Sequence, residues 1–183
     1  MVNEYYIIEG TVRETYAGVV WSHKIQEKQA DIYTKQFKLM ETAKLISASL
    51  TSVGIVSLIF TDQIWIKIIS ALISFVTIFV NAFFKSFDLQ AMINNHKTAA
   101  NKLLIERNKL KLLLLKIKLR EDTPTELNKE LATLFDTIGQ VYKDAPNTTE
   151  KAVKLAKKAL HIDQDNTFSE KEIDSFLPNT LRR

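Results

Sequence analysis

The chain has 183 residues, room for one domain or one domain with a small appendage. It has no cysteine, which excludes disulfides, thiolate metal sites and cysteine nucleophiles. With only 4 Gly, 3 Pro and a net charge of +4, it favours long unbroken helices whose lysines sit beside anionic lipid, not a nucleic-acid surface.

The opening Met1-Val2-Asn3-Glu4 has no basic n-region leading into an apolar core, so it does not read as a signal peptide. Residues 1–44 form the first element, a helical arm. Within it Val12, Tyr16, Val19, His23, Gln26, Ala30, Tyr33, Phe37 and Met40 keep an alternating four-three spacing, the mark of a coiled-coil seam.

Two charge-free segments follow, at 45–61 and 68–84, each 17 residues long. Each spans roughly 25 Å as a helix, the short end of what a bilayer core needs. Residues 62–67 are read as an external turn carrying Trp65 at the interface. Buried helices of a soluble bundle are the rival reading. Against it stand the matched lengths, the flanking Lys44, Lys67 and Lys85, and the aromatic edge of Trp65, Phe83 and Phe84. Lys28, Lys35, Lys38 and Lys44 precede the first span and Lys85, Lys97 and Lys102 follow the second, with only Lys67 between. That asymmetry places both arms in the cytoplasm.

The spans carry polarity. Ser47, Thr51 and Gly54 share a face of the first, with Ser49, Ser52 and Ser57 beside it. Ser70, Ser74, Thr77 and Asn81 share a face of the second. Small and hydroxyl residues let two membrane helices pack closely. The alternative is that such a face borders a water-filled path in an assembly, Asn81 above all, because an intramembrane amide needs protein or water.

Residues 85–120 form the second arm, with a matching seam at Leu89, Ile93, His96, Ala100, Leu103, Arg107, Leu110, Leu114 and Ile117. Counted outward from the membrane, residues at equal depth have numbers summing to about 129. Tyr33 then meets His96 and Gln26 meets Leu103, while small meets small at Ala30 and Ala100 and polar meets polar at His23 and Arg107. The fold class expected is all-α: a two-pass transmembrane hairpin extended by an antiparallel cytoplasmic coiled coil. The first helix is expected from near Asn3 to about Phe60, and the second without a break from about Gln63 to Arg120.

Residues 121–183 form a C-terminal helical segment. Thr123-Pro124-Thr125-Glu126 is a capping box with Pro at the first helical position. It opens a helix with Leu127, Leu131, Leu134, Phe135 and Ile138 on one side. A second helix is expected from about Thr148 to Ile162, with Val153, Ala156 and Leu160 inward, and Ser169 with Glu172 caps a third. The segment is too small for its own core and is expected to pack on the hairpin or on a neighbouring subunit. Asp163, Asp165, Thr167 and Ser169 are spaced like calcium-loop ligands, but Phe168 stands where that loop needs Gly and Asp174 where it needs Glu. They read as turn residues. There is no Gly-rich phosphate loop, HExxH or GxSxG, and His23, His96 and His161 are scattered. Neither an enzyme nor a cofactor site is expected.

The stretch Phe87-Asp88-Leu89-Gln90-Ala91, then His96-Lys97-Thr98-Ala99-Ala100, Leu104 and Glu106-Arg107, resembles the SLATT family, two-transmembrane effectors associated with nucleotide-sensing bacterial conflict systems. Thr15-Tyr16-Ala17 and Tyr33 are similar to its N-terminal helix. The resemblance covers about residues 12–120. It implies a non-enzymatic antiphage effector of the bacterial inner membrane. A cytoplasmic sensor or nucleotide-cyclase-type partner would trigger it to assemble as a homo-oligomer and breach the bilayer. The alternative is a membrane-anchored scaffold that recruits a partner through its arms without conducting.

Overall fold

A computed structural model describes residues 4–60, 63–165 and 167–182, with backbone only at 55–60, 84 and 85. Among the described residues there are six α-helices, one 3-10 turn and no strand. They are α1 (Glu4–Phe60), α2 (Ile64–Ser86), α3 (Leu89–Leu119), α4 (Pro124–Asp144), α5 (Glu150–His161) and α6 (Glu170–Phe176), then the turn Asn179–Leu181. Residues 61 and 62 of the expected tip, and the side chains of Ser57, Phe84 and Lys85, lie outside the described set.

α1 is one rod of 57 residues with no Pro to interrupt it. It pairs with α2 along its C-terminal part and with α3 along the rest. The sense is antiparallel. At one end the Arg120 guanidinium lies 5.4 Å from the centre of the Tyr5 ring, and the Tyr5 hydroxyl donates to the Asp122 carbonyl at 3.2 Å. At the other, Thr51 faces Thr77. Arg120 has φ 54, a left-handed conformation that costs a non-glycine residue about 1 kcal/mol. Its place over Tyr5 gives that turn a fixed seat. Every residue of the two four-three seams is buried or half-buried.

A correction concerns the second helix. It is not continuous from Gln63 to Arg120 but breaks at Phe87 and Asp88. Phe87 turns extended (φ −123, ψ 104), and the Asp88 carboxylate accepts from Ala91 N–H at 2.9 Å as the N-cap of α3. A short acid that can cap competes with helix continuation, and here the cap wins. The Phe83 and Phe87 rings, 4.9 Å apart, close over the break.

The tail wraps the distal half of the α1–α3 pair. α4 packs on α3 and α1, and α5 on α1. The core is therefore three-sided. Val12, Val19, Leu103, Leu110 and Leu113 are fully enclosed together with Leu127 of α4, and Leu131, Leu134, Ile138 and Val141 complete the cluster. Both expected capping boxes are present, at Thr123/Glu126 and Ser169/Glu172. Phe135 is exposed. The buried face of α5 is Ala152, Ala156 and Ala159, one residue round from the expected one, with Val153 and Leu160 at its margins. Small alanines let α5 lie close on α1.

Candidate functional site

The polar faces of the two apolar helices look at each other. Ser47, Thr51 and Gly54 of α1 are buried or half-buried against Ser70, Ser74 and Thr77 of α2, with Val80 closing the arm side. Thr51 and Thr77 hydroxyls stand 3.5 Å apart, and a Cβ at Gly54 would lie 2.7 Å from Ser70 Oγ. Glycine is needed there because the helices approach so closely. Each threonine also donates back into its own helix, Thr51 to the Ser47 carbonyl at 2.8 Å and Thr77 to the Ile73 carbonyl at 3.0 Å. Ser49 and Ser52 donate to the carbonyls of Leu45 and Ala48. These hydroxyls are satisfied without water.

Asn81 is different. The stripe rolls outward past Thr77, leaving Asn81 exposed on the outside of the helix pair with no hydrogen-bond partner among the described residues. Around it Leu72, Phe75, Ile78 and Phe79 are also exposed. A water-soluble helix would bury such a surface.

The second polar cluster lies in the arms. His96 Nδ1–H donates to Gln26 Oε1 at 2.5 Å, and its ring packs on Tyr33 with centroids 5.5 Å apart. Gln26 Nε2 in turn donates to the Pro146 carbonyl at 3.1 Å. One turn away, Gln29 Oε1 accepts from both N–H and hydroxyl of Thr149, the cap of α5, at 2.9 and 2.8 Å. The layers thus clasp the α4–α5 link as well as joining two helices. His23 Nε2 faces Glu27 at 3.7 Å, Lys24 bridges Glu27 at 2.7 Å and Asp165 at 3.6 Å, and Arg107 lies half-buried beside them. The Asp165 carboxylate, one of the calcium-loop-like residues, is committed to Lys24 and Lys28. Sequence reasoning missed Lys24, Gln29 and Glu106, all buried. Lys24 and Gln29 flank the seam and become interior where Asp165 and Thr149 of the tail lie over them, which helical periodicity in α1 alone does not signal.

Burial lowers the His96 imidazole below the ordinary histidine value. His23 is lowered too, by burial first, with Glu27 pulling it up and Arg107 and Lys24 pushing it further down. Below roughly pH 6.5 the unfolded chain binds protons that these buried rings refuse, so stability is complete above that value and is lost as pH falls below it. The melting temperature of the detergent-solubilised chain should fall between about pH 7 and pH 5, and His96→Gln should flatten the slope. A slope unchanged in that variant would remove His96 from the account.

The family model for the SMODS and SLOG-associating 2TM effector domain family 4 matches residues 8–172, both polar clusters included. The chain belongs to this family. No curated protein and no solved structure matches it. As the family's name states, a SLATT protein is a two-transmembrane effector that associates with SMODS and SLOG proteins. Among the described residues one segment, Ile64–Phe83 with mean hydropathy 2.1, is long and apolar enough to cross a membrane. It belongs to α2, the SLATT helix that carries Ser70, Ser74, Thr77 and Asn81.

Proposed function

We propose that this SLATT chain is a membrane effector of antiphage defence, an oligomer that opens the bacterial inner membrane when a cytoplasmic nucleotide-signalling partner releases it. In this reading α1 and α2 form a two-pass hairpin, residues 45–61 and 68–84 cross the bilayer, and the arms form an antiparallel cytoplasmic coiled coil. Both termini are cytoplasmic, as the lysine flanks require. It is not an enzyme and uses no cofactor or metal; lipid, its own copies and the sensor are its partners.

The observation that carries the proposal is Asn81, an amide on the outer face of an apolar span with no hydrogen-bond partner among the described residues. An amide has two donors and an acceptor with two lone pairs, and hydrocarbon satisfies none of them. A ring of hairpins supplies water or neighbouring amides, and the ring of Asn81 then borders the path. Thr77, bonded within its own helix, contributes less.

Expression in cells carrying a membrane-potential dye tests this, with a C-terminal reporter confirming a cytoplasmic end. Asn81→Leu should abolish depolarisation while insertion is retained, whereas Thr77→Val should reduce it by less than about tenfold. Depolarisation by Asn81→Leu at the parental rate would sink the proposal. One observation favours the scaffold reading: α3 carries an exposed apolar stripe at its distal end. Under that reading no variant, nor the parent, depolarises cells.

A further inference from the structure

α3 has two faces at four-three spacing. The inner one, through Leu103, Leu110 and Ile117, is buried on α1. The other runs Ile105, Asn108, Leu112, Leu115, Leu119, and its four apolar members are each half-exposed or more. It forms a shallow groove floored by Leu112, Leu114 and Leu115, with Asn108 at one end. Such a stripe is a helix-docking seam without its helix.

Its rim is basic. Lys109 is engaged by Glu106, and Lys116 by Glu130 and Asp122. Lys111 and Lys118, one heptad apart, pair with no carboxylate among the described residues. Two such grooves face to face would set lysine against lysine, so like does not dock on like. Lipid is not the occupant either. Leu112 lies 26 residues beyond Ser86, roughly 39 Å along a helix pair that leads away from the apolar span.

One other element has the opposite character. α6 buries none of its residues. Phe168 and Phe176 pack edge to face at 6.4 Å yet stay 65% and 78% exposed, with Ile173 beside them. Within residues 168–176 stand Glu170, Glu172 and Asp174 against Lys171, three negative charges and one positive, with Arg182 folded back on the Leu177 carbonyl at 2.9 Å beyond them. We propose that the lysine-rimmed groove on α3 receives the acidic aromatic α6 of a second copy of this chain. Charge and shape then agree: the aromatic pair enters among the leucines, and Glu170 reaches the lysine rim. The contact joins different faces of the two copies, and repetition of such a contact closes a ring where the rotation from copy to copy divides a full turn. It rests on the oligomeric reading above and adds to it the surface through which copies meet.

The absence of cysteine makes the test direct. Full-length chains carrying Phe176→Cys and, with a different tag, Leu112→Cys are co-expressed and oxidised in the membrane. A disulfide between the two tags is expected. Its absence, or a disulfide forming only within a chain that carries both substitutions, overturns the proposal. In parallel, oligomer mass is measured in detergent. Lys111→Glu with Lys118→Glu should weaken assembly by about tenfold or more, and adding Glu170→Lys with Asp174→Lys should restore it. Lys111, Lys118 and Glu170 are exposed and Asp174 is half-buried, so the melting temperature of each variant is measured beside its mass and should match the parent. Unchanged assembly in the lysine variant, or no restoration, also overturns the contact. If the parent still assembles and depolarises cells in those cases, the pore reading stands and only the α6 docking falls.

Discussion

Leu103→Asp is expected to unfold the arms. Leu103 is 0% exposed, a member of the apolar cluster that joins α1, α3 and α4, and lies beside Gln26 of α1 and Tyr142 and Pro146 at the end of α4. Truncating a leucine in such a place costs about 2–5 kcal/mol from lost contacts and the residual cavity. The carboxylate adds the cost of a buried charge without a partner, again several kcal/mol, unless it takes up a proton. The sum rivals the roughly 5–15 kcal/mol that holds a domain together. Rapid proteolysis of α3 and α4 in isolated membranes should report it. Leu112→Asp on the same helix, at a position 55% exposed, should leave the protease pattern as in the parent. Equal resistance of Leu103→Asp and the parent would mean that the three-sided core does not hold the arms.

Gly54→Leu should have the second largest effect, this time on activity. Alanine at position 54 would put its Cβ 2.7 Å from Ser70 Oγ and 3.4 Å from Ser70 Cβ. The hydroxyl can swing away at small cost, so Gly54→Ala should behave nearly as the parent. A leucine needs further volume toward Ser70 Cα, itself only 4.0 Å from that Cβ, and the helix has to move. Separating the helices breaks the Thr51–Thr77 contact and turns α2, carrying Asn81 away from its place in the assembly. Depolarisation should be lost while the chain still fractionates with membranes. Ser70→Gly combined with Gly54→Ala should be indistinguishable from the parent. Full activity in Gly54→Leu would show that the seam is loose and that its geometry does not position Asn81.

Much of this fold was legible because its rules are local or periodic. Two caps announced α4 and α6 through four residues each, and the absence of Pro through the arms announced long helices. The break at Asp88 was also local, yet the surrounding apolar periodicity outweighed one short acid. What stayed hidden depends on a third partner. Gln29 and Lys24 look like solvated positions of α1 until α5 and Asp165 lie over them. The one-residue rotation of α5 follows from how closely alanines can approach α1, which its own pattern does not reveal. For the candidate site, the sequence placed Asn81 with Ser70, Ser74 and Thr77. On an ideal helix of about 100° per residue Asn81 stays within about 20° of Ser70, so periodicity groups them. What moves is the line of contact, which passes round α2 from Ser74 through Thr77 to Val80 and Phe83 and leaves Asn81 outside.

The contrast between an unbroken α1 and a divided α2–α3 has a mechanical meaning. α1 is a single shaft of roughly 85 Å, so a twist applied at Tyr5 arrives at Thr51 with little loss. Its companion is jointed at Phe87 and Asp88, nearly two turns from Asn81. Torque therefore enters the apolar helices through α1 and reaches α2 across the Thr51–Thr77 and Gly54–Ser70 contacts. A pull on the tail, gripped at Gln26 and Gln29, is applied to the driving member and not to the hinged one.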